Sequence, residues 1–147
     1  MLLILIAQVA TLTASADTPA SGVPPAEAAC VQDAGNPNVH PSTMYAHCAA
    51  AVEFFRGMTK SASASDRDLI ATNIALFEFY QAHAADQIPG NAYGDTLRGE
   101  AHKTWTSLSL HSSDPATRNH AKLTLACFFG GDANACKRAF SASPNGF

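Results

Sequence analysis

The sequence predicts an all-helical fold, a small irregular or up-down bundle of about five helices stapled by two disulfides. Three observations carry that reading. Apolar residues recur every three or four positions from residue 42 to residue 140, no segment alternates β-branched and polar residues between hairpin turns, and four cysteines stand as two close pairs.

The elements follow in chain order. Met1 to Ala16 is an apolar run, diluted by Gln8, Thr11, Thr13 and Ser15, that closes on Ala14-Ser15-Ala16. It is too short and too polar for a spanning helix, which needs about 20 apolar residues, and its small-residue ending reads as a signal peptide over residues 1–16. No Lys or Arg precedes it, which departs from the usual pattern. The expected location is periplasmic or secreted, with no stable membrane anchor after cleavage before Asp17. Residues 17–41 carry Pro19, Pro24, Pro25, Pro37 and Pro41 among Ala, Ser and Gly, and are expected to form a coil pinned at Cys30.

The helical domain is expected over residues 42–141. A first helix begins near Ser42 with Met44, Cys48, Val52, Phe55 and Met58 on one face. Ser65, followed three residues later by Asp68, reads as the cap of a second helix. There Ile70, Ile74, Phe77, Tyr80, Ala84 and Ile88 form a stripe that Leu69, Leu76 and Phe79 widen, as expected of a central helix. Pro89-Gly90 ends it, and Asp95 is the expected cap of a third helix facing inward through Leu97, Ala101, Trp105 and Leu108. Asp114-Pro115 places a cap before a proline at the first helical position, opening a fourth helix with Ala121, Leu125 and Phe128 inside. Gly130-Gly131 then separates it from a short last helix that starts at Asp132 and carries Cys136 and Phe140, and residues 142–147 form a frayed tail. No second copy of the Ala121–Phe140 hairpin recurs at a fixed period.

An even number of cysteines in an exported chain implies disulfides. Proximity favours Cys30 with Cys48 and Cys127 with Cys136, although a crossed pairing between the two ends is also open. The chain has no Cys-x-x-Cys for redox exchange or zinc and no Cys-x-x-Cys-His for haem.

Composition narrows the function classes. A net charge of -3 without a Lys/Arg cluster does not suit nucleic acid, which demands a basic surface. Gly-x-Ser-x-Gly and His-Glu-x-x-His are absent. Of the six histidines His40, His47, His83, His102, His111 and His120, no two stand three or four apart on a helix. Glu53, Glu78 and Glu100 fall on different segments, and His47-Cys48 is followed by Ala49, so a helical lipase's His-Asp pair is not formed by neighbours in sequence. No catalytic, cofactor-binding or metal-binding residue is therefore assigned, and no cofactor is expected. The expected function is that of an exported non-enzymatic helical protein acting by protein binding, in an inhibitor or immunity-like role, with another envelope or secreted protein as partner. Two alternatives stand beside it. One is a small helical secreted hydrolase, which requires convergent titratable groups in a pocket. The other is a metal-binding protein built on His102, His111 and His120.

Overall fold

Proline and glycine punctuate six helices in the computed structural model, which describes residues 25–141: α1 (Ala26–Ala34), α2 (Pro41–Thr59), α3 (Ala64–Asp86), α4 (Gly94–His111), α5 (Pro115–Phe128) and α6 (Ala133–Ser141). No strand occurs among the described residues. The segment read as a signal peptide, residues 17–24 of the expected N-terminal coil, and the tail 142–147 lie outside them. None of the described helices is long and apolar enough to cross a membrane.

α1 corrects the expectation of coil over residues 17–41. Ala-Glu-Ala-Ala-Cys-Val-Gln-Asp-Ala contains neither Gly nor Pro, starts directly after Pro25 and carries Glu27 in its first turn. The prolines thus bound a helix here and do not forbid one. Such a short helix is marginal alone. The Cys30–Cys48 disulfide fixes it to α2, and the second disulfide joins Cys127 of α5 to Cys136 of α6. Both are the pairings that proximity favours, and both suit an oxidising environment.

Two helix starts also differ from expectation. Ser63, not Ser65, caps α3, its hydroxyl accepting from the Asp66 amide at 3.3 Å. α4 starts at Gly94 with Tyr93 at the cap position, which leaves Asp95 in the first turn. A side chain at position 94 would run into the Asp86 carboxylate and the Ala82 carbonyl, so glycine lets α4 approach α3 closely. Asp95 instead accepts from Arg98 at 2.7 Å, and Arg98 also grips Asp86 through two bonds of 2.5 and 3.1 Å. The expected Asp114 cap is present, accepting from the Ala116 amide at 3.2 Å, and Asp132 caps α6. Between them Gly131 turns the chain with φ of +63°, a left-handed conformation that favours glycine.

Each helix packs mainly on its neighbours in sequence, and α1 and α5 both add contacts to α3. α3 is thus a spine between two cores. On one side Cys30, Met44, Cys48, Val52 and Phe55 meet Ile70, Phe77 and Ala84. On the other, Ala75 and Leu76 meet Ala101, Trp105, Leu108 and Ala121. Trp105 is 1% exposed, the core anchor its sequence position suggested.

Candidate binding cleft

The Cys30–Cys48 bond sets the register of the α1–α2 hairpin. The two helices run antiparallel, so residues just after Cys30 face residues just before Cys48. Asp33 and His47 meet on this account: His47 Nδ1 lies 2.5 Å from Asp33 Oδ2. An ionised carboxylate can only accept, so the imidazole donates through Nδ1, and its other nitrogen is the acceptor if the ring is neutral. The Asp33 side chain is 14% exposed and that of His47 43%, so the carboxylate is the sheltered member of the pair.

Asp33 also lines a cleft of about 430 Å³. It is lined by the end of α1 and the connection to α2, where Gly35 closes α1 by donating to the Val31 and Gln32 carbonyls at 3.2 Å. Asn36 stabilises the turn by accepting from the Asn38 amide at 2.9 Å. His83 and Gln87 line it from the last turn and C-cap of α3, while Val39, Pro41 and Met44 supply an apolar side. No Lys or Arg and no hydroxyl or thiol is among the described lining residues. The volume falls in the usual range of small-ligand sites, and the lining is more polar than most of them.

The other residues singled out by sequence do not converge. His40 caps α2 by accepting from the Ser42 amide at 3.2 Å. His102 stands edge-on to Phe129 with ring centroids 4.8 Å apart, and His111 is exposed at the end of α4. His120 is held below the usual imidazole pKa by burial, partly opposed by a hydrogen bond with the Ala139 backbone. Among the described residues no three His, Cys, Asp or Glu side chains form a group able to hold a metal ion, so His102, His111 and His120 do not build one. Glu53 and Glu100 are exposed and pair with Arg56 at 2.8 Å and Lys103 at 3.0 Å.

Glu78 is different. It is 3% exposed on α3, and its Oε2 finds no hydrogen-bond partner among the described residues. Burial raises its carboxyl to about 7; the Arg56 guanidinium of α2 pulls the other way and the Glu100 carboxylate of α4 adds to the rise. It therefore lies on the seam between the two cores, outside the cleft lining.

Comparison of the chain with protein-family models, with curated proteins and with solved structures finds no match. The site rests on its own geometry.

Sequence reasoning missed Asp33 because it was placed in a coil, and missed the His-Asp pair because a partner for His47 was sought beside it in sequence. The signal was available in the cysteines: once Cys30 is paired with Cys48, Asp33 is carried to His47.

Proposed function

We propose that the protein is an exported, non-enzymatic binding protein, an inhibitor or immunity-like factor, whose working site is the cleft between the α1–α2 connection and the end of α3. The observation that carries this reading is the Asp33 carboxylate, sheltered and held by His47 in the wall of that cleft. A carboxylate held in place at a cleft is ready to pair with a ligand's donor without first being ordered. The apolar leader sequence and the two disulfides support export.

Photo-crosslinking in the native compartment tests it. A photoreactive residue at Val39 or Gln87 should give a discrete protein adduct, whereas one at Leu110, exposed at the opposite end of α4, should not. Adducts at Leu110 alone, or at all three positions alike, would sink the cleft as the working site. An intact mass beginning at Asp17 checks export independently.

The same Asp33–His47 bond favours a second reading, a hydrolase in which His47 is a general base oriented by Asp33. His47 borders the cleft only through Asp33 and is not itself among the described lining residues, none of which carries a hydroxyl or thiol, so the nucleophile would be water. Release of nitrophenol from simple esters that disappears in a folded His47→Gln variant supports this reading, and equal release by both proteins removes it.

A further inference from the structure

We infer that the cleft is a receptor for one basic side chain, an arginine or lysine presented by a partner protein, with its alkyl stem on Val39 and Pro41 and its cationic head on Asp33. The inference rests on the cleft being the working site and adds the chemistry of what enters it.

Charge is the first argument. Asp33 is the one carboxylate among the described lining residues, and no Lys or Arg among them neutralises it. His47 occupies Oδ2, and a carboxylate has lone pairs for several donors, so capacity remains for a second one.

The backbone adds to the same sign. α1 ends at Ala34 and α3 at Asp86, and both C-terminal ends border the cleft through Asp33, Ala34, His83 and Gln87. Helix C-termini carry partial negative charge and favour cations. The N-terminus of α2 opposes them, but its Ser42 amide is already taken by His40. Gln87 donates its amide to the His83 carbonyl at 3.3 Å, and its own side-chain oxygen is an acceptor.

Shape is the third. Lys and Arg are the side chains that pair an apolar stem with a charged head, and they bury the stem along apolar surface. Val39 and Pro41, both partly exposed, offer that surface beside an acidic pole, and about 430 Å³ is ample for such a chain. A simple carboxylate or phosphate ligand would face Asp33 with like charge.

The test is a set of amide-resolved NMR titrations of the intact disulfide-bonded protein with three probes. Nα-acetyl-arginine methylamide imitates an arginine within a chain, the citrulline analogue is its neutral isostere, and spermidine represents a free polyamine. The arginine probe should shift the resonances of residues 33–39 and 83–87 and bind about tenfold more tightly than citrulline, the difference expected for one charge-assisted hydrogen bond. Asp33→Asn should erase that tenfold preference. Gln87→Lys, a change at an exposed position that places a cation in the cleft, should weaken arginine by a similar factor without disturbing the fold. Equal binding of citrulline and arginine overturns the cationic ligand while leaving the cleft as a binding site. Tighter binding of spermidine than of arginine overturns the protein side chain as the source. Absence of shifts at the cleft with every probe overturns both this inference and the cleft as the working site.

Discussion

In the N-terminal half the disulfide is part of the core: Cys30 and Cys48 are fully buried among Met44, Val52, Phe55 and Ile70, and the Phe55 and Phe77 rings stack beside them at 5.5 Å. In the C-terminal half the disulfide lies at the margin. Cys127 is 9% exposed, Cys136 half-buried, and the aromatic cluster of Phe79, Trp105 and Phe128 extends to Phe129, which is 38% exposed. The same covalent device therefore does two different jobs. The first bond holds a helix too short to stand alone and, through the register it imposes, builds the Asp33–His47 pair. The second closes a hairpin that already has an Asp132 cap and a glycine turn.

Removing the bonds separately should expose that difference. Replacing Cys30 and Cys48 by Ala opens a loop of 18 residues, worth about 3 kcal/mol on the chain-entropy model, and leaves a cavity in a closed core, for a total of about 4 to 5 kcal/mol. The melting temperature should fall by roughly 15 °C or more, with loss of arginine binding at the cleft. Replacing Cys127 and Cys136 opens a loop of 9 residues and should cost only about 2 to 3 kcal/mol, with the cleft intact. Equal melting shifts in the two double variants would break the comparison.

How much of this was legible in the sequence depends on how local the signal is. The stripe Met44, Cys48, Val52 and Phe55 and the Asp114-Pro115 start are short-range patterns, and they hold. Ser63 and Ser65 each stand three residues before an aspartate, so the choice of cap for α3 turns on where the chain enters the bundle, which no local pattern records. α1 was hidden because its flanking prolines were read as a property of the whole segment. Nothing in the sequence marks Glu78 as buried, since the stripe on α3 gives no warning that α2 and α4 cover that flank as well. Its burial is a tertiary fact.

Glu78 sits where the two halves meet, and it makes the seam sensitive to pH. Its carboxyl holds the proton up to about pH 7 when folded, against an ordinary 4.5 when exposed. The folded state thus binds more protons between those limits, so this group's contribution to stability falls as pH rises through that window and is level above it. The linkage is on the order of 3 kcal/mol. Glu78→Gln should stabilise the protein by about 2 kcal/mol at pH 8, somewhat less than the full linkage because the amide also lacks partners, and change little at pH 4. Melting curves at the two pH values decide it. His120 has the opposite sign: its lowered pKa means that stability is lost as pH falls below its usual 6.5, and His120→Phe should remove that acid-side loss. A Glu78→Gln protein no more stable at pH 8 than the parent would mean that Arg56 or water already satisfies the carboxylate.

The smallest effect tests whether the C-terminal core is open at its edge. Phe129 touches Phe79, Trp105 and His102 edge-on but keeps 38% of its surface in solvent, whereas Phe55 keeps none. Truncating a fully buried phenylalanine costs about 3 to 5 kcal/mol because the transfer energy and a cavity add together. At position 129 water can enter the space left behind, so no closed cavity forms and only the edge contacts are lost. Phe129→Ala should then cost about 1 kcal/mol or less, read as a small shift in the denaturation midpoint with an unchanged slope. A loss approaching that of Phe55→Ala would show that the Phe129 ring closes the second core as firmly as Phe55 closes the first, and the contrast between the two halves would reduce to the position of their disulfides.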